Sequence, residues 1–173
     1  FGGGNDQGLW NALRLAHEIQ VLAQRPVELV VAGKAPQSLQ QALQKAAEIR
    51  LPWTGVLPRE DIPALDRTAH AFFSAEINAP CPNAGIEALA CGLPVLAFAA
   101  GALPELVTDE AGVLAPYGGD TWKLDPAQVR PLAQSALDVL NEQPRFRAGA
   151  RARAEAAFGL DIMVEQYLNV LLG

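Results

Sequence analysis

The sequence is short of basic residues, of cysteine and of long apolar runs, and each shortage closes off a class of function. Thirteen Lys/Arg stand against nineteen Asp/Glu, a formal charge of −6 with no Lys/Arg run. That balance argues against nucleic acid as a partner, because phosphate backbones are held by clustered cations. No apolar stretch approaches the ~20 residues that span a bilayer, so neither a transmembrane segment nor a signal peptide is expected. Only two cysteines occur, Cys81 and Cys91. They bracket an expected helix over residues 83–90, which would hold their Cα atoms more than ~7 Å apart, too far for a disulfide. Neither has a second Cys or His at ligand spacing, so no metal site is expected. A reducing, cytoplasmic setting fits best.

What is present points to a folded α/β chain. Of 173 residues, 50% are hydrophobic and only 18% charged, a composition that folds rather than stays disordered. One domain of this length buries roughly 70% of its unfolded surface. Strand-like and helix-like segments alternate. Leu9, Ala12, Leu13, Ala16, Ile19 and Leu22 fall at helical spacing. Strands are expected over 27–32, 53–56, 71–74, 94–98 and 112–115, with helices around Leu39–Ala46 and 61–67 between them. After residue 118 the pattern turns to helices only, with Asp125 as an N-cap ahead of Pro126, Pro144 opening a further helix and Asp161 capping the last. The whole, residues 1–173, is expected to be one doubly wound, Rossmann-like domain: an alternating core over 1–118 and extra helices over 119–173. A doubly wound unit opens with a strand. Since only Phe1 precedes the Gly2-Gly3-Gly4 turn, the first of about six strands is expected to be truncated or supplied from elsewhere, and the chain to be a piece of a longer protein.

Residues 80–107, PCPNAGIEALACGLPVLAFAAGALPELV, carry the strongest functional signal. They read as a loop, a short helix, a buried strand and a turn ending in Pro104-Glu105. Helix N-termini present unpaired N–H groups and partial positive charge, so anions settle there. Asn83 is expected as the N-cap, and Gly85 admits a ligand close to the backbone. Glu87, one turn further in, would reach hydroxyl groups attached to a bound phosphate. The Gly2-x-Gly4 pattern invites a dinucleotide reading, but Gln7 stands where the third glycine belongs and no acidic residue ends the second strand; NAD is rejected.

IEALACGLPVLAF followed by GALPELV resembles the C-terminal half of GT-B glycosyltransferases, specifically retaining family 4, and the order of elements extends that resemblance from Gly4 to about Leu172. Pro80-Cys81-Pro82-Asn83 resembles the subgroup in which a Pro-Cys-x-Asn turn precedes the glutamate helix. The resemblance implies a donor-binding domain for a nucleoside-diphosphate sugar, with the acceptor domain in a missing N-terminal half of the same protein. It implies that Glu87 holds the ribose hydroxyls, that the amides of Ala84 and Gly85 meet the diphosphate beside Asn83, and that backbone near Leu57 pairs with the base. Gly33 and Lys34, at the end of a strand, lie near the phosphates, and Glu105 lies in a loop beside the donor. No Asp-x-Asp motif occurs, which fits a metal-free site with no cofactor, in which the protein stabilises the leaving diphosphate.

Two positions depart from the family pattern. Its first glutamate, eight residues before the second, is replaced by Ala79, and no base occurs in residues 1–8 to neutralise diphosphate charge. Glu76, Asn78 or Lys34 would have to compensate, and Glu76 and Asn78 are the candidates for catalysis. Two functions from different classes follow: a glycosyltransferase donor domain, inactive in isolation, or a catalytically dead relative serving as a binding or scaffold module. A nucleotide-sugar epimerase needs acid/base groups that this sequence does not offer.

Overall fold

Residues 95–98, the run VLAF, form the most completely buried strand of the structure, and what covers them explains the fold. Successive strand side chains point to opposite faces. Leu96 and Phe98 face one layer with Leu15, Ile19, Leu132, Ala136 and Val139. Val95 and Ala97 face the other with Leu89, Leu103, Leu106 and Ala150. A strand buried on both faces must be apolar throughout, which is why it reads as a continuous hydrophobic run. Each large side chain buried there contributes about 1.5–3 kcal/mol.

A computed structural model describes residues 6–173. Their order is α1 (Asp6–Ala23), β1 (Val31–Ala32), α2 (Gln37–Ala46), β2 (Trp53–Gly55), a 3-10 turn (Arg59–Asp61), α3 (Ile62–Thr68), β3 (Phe72–Phe73), α4 (Asn83–Ala90), β4 (Val95–Phe98), α5 (Leu103–Leu106), a 3-10 turn (Asp109–Ala111), β5 (Gly112–Ala115), α6 (Val129–Asn141), α7 (Gln143–Ala157) and α8 (Leu160–Leu172). The strands are all parallel and form two sheets, β1-β2 and β3-β4-β5. This is the expected Rossmann-like α/β architecture with extra C-terminal helices. Helix α1 serves both sheets: Leu9, Leu13 and Ala16 pack with Val31 and Leu43, while Leu15 and Ile19 pack with Leu96 and Phe98.

The five described strands fall within the expected ones; β1 to β4 are shorter and β5 coincides with its expected range. Pairing at β1 nevertheless extends beyond its two formal residues, through the Glu28–Arg50 bridge and bonds from Leu29 and Gly33 to Arg50 and Gly55. The expected first strand lies outside the described residues, and the expected single sheet of about six strands is, among the described residues, two sheets of two and three.

Three expected caps are displaced, each for a local reason. Helix α4 opens on Asn83 itself, with Pro82 as the cap residue; the Pro82 carbonyl takes the Gly85 and Ile86 amides, and Asn83 Oδ1 accepts instead from the Cys81 thiol at 3.5 Å. Asp125 closes its own loop, accepting the Asp120 amide at 3.0 Å through Oδ2, so α6 starts later with Gln128 as its cap. Gly159 precedes α8, which places Asp161 in the first turn rather than at the cap, where its charge still favours the helix dipole. Pro144 lies in the first turn of α7, as expected.

Among the described residues no helix is long and apolar enough to cross a membrane, and no cluster of His, Cys, Asp and Glu could hold a metal ion. Cys81 and Cys91 are free thiols.

Candidate functional site

In a parallel sheet the loops that leave the strands' carboxyl ends share one edge, where ligands bind in open α/β folds. Here the edges of the two sheets meet. Arg59, four residues beyond β2, places Nη2 3.6 Å from Oε1 of Glu87 on α4, the helix that follows β3. Gly8 of α1 abuts the same end of β3, since a Cβ there would lie 2.1 Å from the Ala75 carbonyl oxygen.

The loop from Ser74 to Pro82 is held by its neighbour rather than by its own side chains. Ser74 donates the last ladder bond to Leu96 at 3.0 Å. Asn78 then adopts φ 60°, a left-handed conformation that Asn tolerates better than most residues. Ala79 accepts the Ala102 amide at 3.0 Å. The turn after β4 seats Gly101 against this loop at φ 56°; an added Cβ would stand 2.6 Å from the Ala79 oxygen and 2.8 Å from the Asn78 carbonyl carbon, so only glycine fits. Ala79 is consequently buried, 6% exposed, and a methyl group occupies the position where the family pattern has its first glutamate. Glu76, three residues upstream in this loop, is half-buried, and burial raises its carboxyl above the usual carboxylate range.

Helix α4 presents Glu87 with its side chain 44% exposed. Behind it on α3 stands Asp66, whose carboxyl is raised by burial and secondarily by the Glu87 charge. The Cys91 thiol is raised by burial first and by Asp66 next. Of the two amides expected to meet phosphate, that of Gly85 bonds to Pro82 at 2.9 Å. That of Ala84 has no acceptor among the described residues. Gly85 is buried, and a Cβ there would make only an ordinary 3.5 Å contact with Leu106.

The remaining expected residues are spread along the edge. Gly33 donates its amide to Gly55 at 2.8 Å, and Lys34, next to it, is exposed. Leu57 is half-buried, and nothing among the described residues pairs with its backbone. Glu105 is exposed and its carbonyl accepts from Arg153 at 2.6 Å.

Two features escaped the sequence reading. Arg59 sits in a short acidic turn with nothing local to announce its contact with Glu87. Asn11 lies inside the apolar stripe of α1 and is 1% exposed. Its Oδ1 accepts from Gln7 at 3.1 Å and from the Ala127 amide at 3.4 Å, and its amide donates to Tyr117 Oη at 3.4 Å. A lone amide within an apolar stripe was the available signal, because a buried polar group needs partners. This network fastens the loop after β5 to α1.

A doubly wound α/β layer with a helix-borne glutamate at its carboxyl edge defines the class: the C-terminal half of a GT-B glycosyltransferase fold. The chain belongs to the family Glycosyl transferases group 1, which matches residues 6–141. It is 28% identical over 156 residues to the 2-deoxystreptamine glucosyltransferase of Streptomyces kanamyceticus, covering 82% of this chain and 38% of that protein. It is 26% identical to the alpha-maltose-1-phosphate synthase of Mycolicibacterium smegmatis, covering 83% and 40%. The fold matches that of Anabaena HepE, solved with UDP and glucose, at TM-score 0.68 and 24% identity, over 94% of this chain and 45% of that one. The sucrose-phosphate synthase of Thermosynechococcus elongatus matches at TM-score 0.69 and 22% identity, over 93% and 43%. The chain thus spans about two fifths of the length of these two curated relatives.

Proposed function

We propose that residues 1–173 form the donor-binding domain of a retaining, metal-free glycosyltransferase that acts in the cytoplasm. The observation that carries this reading is Glu87: a half-exposed carboxylate early in a helix at the carboxyl edge of a parallel sheet, beside an exposed arginine. Glu87 holds the ribose hydroxyls of a nucleoside-diphosphate sugar. The turn from Asn83 to Gly85, with its unspent Ala84 amide, faces the diphosphate together with Gly33 and Lys34. Backbone at Leu57 meets the base, and Glu105 stands beside the donor. Glu76 and Asn78, on the loop clamped by Gly101, are the groups placed to act on the transferred sugar.

The acceptor binds the other half of the protein, and departure of the diphosphate is assisted by fixed donors rather than by a metal. Family membership and the UDP complex of Anabaena HepE support a nucleotide donor. Titration with UDP, GDP and ADP tests the reading: one of the three binds and is displaced by its nucleotide sugar, whereas failure of all three ends it.

A second reading, a binding or scaffold module without catalysis, is favoured by one observation. Ala79 is buried with its backbone spent on Ala102, so no carboxylate can occupy the first-glutamate position without displacing packed atoms. Nucleotide binding by this chain combined with no transfer by the full-length protein would select it.

A further inference from the structure

We infer that Arg59 is the cation that receives the diphosphate of the donor, an assignment that rests on the donor-site reading above. A doubly negative ligand cannot settle among carboxylates unless a cation offsets them. The proposed site and its surroundings contain Glu76, Glu87, Glu105 and, behind Glu87, Asp66, against Lys34, Arg59 and, beside Asp66, Arg67. Among the described residues, only Arg59 of these three cations forms an ion pair with α4.

The arginine is held loosely and its donors are unspent. Arg50 and Arg130 meet their glutamates at 2.8 Å, and Arg145 and Arg151 at 2.7 Å. Arg59 stops at 3.6 Å from Glu87, beyond the range of a charge-assisted hydrogen bond, which lies at about 2.7–2.9 Å. Among the described residues its guanidinium makes no hydrogen bond. Its side chain is 89% exposed, so turning it toward a ligand costs little desolvation. Its placement does not serve the local helix either. Arg59 opens the 3-10 turn that leads into α3, and a cation at a helix N-terminus opposes the dipole. The backbone beneath it is fixed by the bond from the Asp61 amide to Pro58 at 3.0 Å.

Geometry supplies the rest. The diphosphate hangs on the same ribose that Glu87 holds, so a cation touching Glu87 is within one side chain's reach of it. The planar fork of a guanidinium matches phosphate oxygens two at a time. In the free protein Arg59 rests against Glu87; with ligand bound, Glu87 turns to the hydroxyls and Arg59 to the phosphates.

Calorimetry on the chain with UDP, GDP and ADP, and with uridine, guanosine and adenosine, decides the matter. For the nucleotide that binds wild type, Arg59→Ala is expected to weaken the diphosphate about tenfold and to leave its nucleoside unchanged. Arg59→Lys recovers part of the loss, and the salt dependence of diphosphate binding becomes shallower in Arg59→Ala. Unchanged diphosphate affinity and salt dependence in Arg59→Ala would overturn the assignment while sparing the donor site. So would equal losses for nucleoside and diphosphate, which would make Arg59 a prop for Glu87 alone. If no diphosphate binds wild type, the donor-site reading and the assignment fall together.

Discussion

Arg59 and Glu87 face each other at 3.6 Å across the junction of the two sheets, although 28 positions separate them in sequence. Exposed pairs of this kind contribute about 0–1 kcal/mol, so this one does little to hold the fold together. Glu87→Ala is therefore expected to leave the urea midpoint nearly unchanged. The same substitution should weaken nucleoside and nucleoside diphosphate alike, by about 1.5–3 kcal/mol for a lost charge-assisted hydrogen bond to ribose. Unfolding and titration on one sample check both halves. A large stability loss with intact binding would show that Glu87 serves only its helix.

Gly101 gives a structural prediction independent of ligand. At φ 56°, with Ala79 and Asn78 backbone atoms 2.6–2.8 Å from where its Cβ would be, alanine brings both a left-handed backbone penalty and a clash. Left-handed strain alone costs about 1–3 kcal/mol, so Gly101→Ala should lower stability by at least that much. The same contact clamps the loop bearing Glu76 and Asn78, so on their proposed catalytic role the full-length protein carrying the change should also lose transfer activity. Chemical denaturation together with a sugar-transfer assay measures the two effects.

How much of this was legible in the sequence depended on how local each cause was. The run from Pro94 to Phe98 showed its burial because a strand covered on both faces has no polar positions to confuse it. The caps were misread because Asn83, Asp125 and Asp161 have the right chemistry but other duties. A preceding proline took the cap of α4, loop closure took Asp125, and Gly159 began the last helix earlier. Asn11 went unread within the apolar stripe of α1, because its role depends on distant partners, Tyr117 and Ala127. The approach of Arg59 to Glu87 could not be read at all, since it follows from how the loop after β2 meets the helix after β3.

Asp66 sets a pH dependence with a definite sign. Burial, and then the Glu87 charge, raise its carboxyl above the usual aspartate value. The folded state therefore binds its proton more tightly than the unfolded chain does. The resulting stabilisation is fully present below the unfolded aspartate range and is lost as pH rises through the folded value. Asp66→Asn should raise the denaturation midpoint at pH 7 and flatten the contribution of this site between pH 4 and 7, compared with wild type in thermal scans across that range. A variant less stable than wild type at pH 7 would mean that the carboxylate makes a favourable contact outweighing its burial.

The last expectation separates binding from turnover. The chain covers 38% and 40% of two curated relatives, and it offers one wall of the proposed crevice. Transfer needs donor and acceptor held together with water excluded, and orientation alone accounts for roughly 7–11 kcal/mol of a typical barrier. The elements proposed to hold the nucleotide are contained in this chain: α4, the clamped loop before it and the turn carrying Arg59. The 173-residue chain should therefore bind a nucleoside diphosphate with modest affinity and bind the matching nucleotide sugar without consuming it. Calorimetry followed by chromatographic analysis of the sugar nucleotide after prolonged incubation tests this. Release of free nucleoside diphosphate at rates near those of complete glycosyltransferases would show that the catalytic apparatus lies wholly within these residues, and that Glu76 and Asn78 suffice without the second wall.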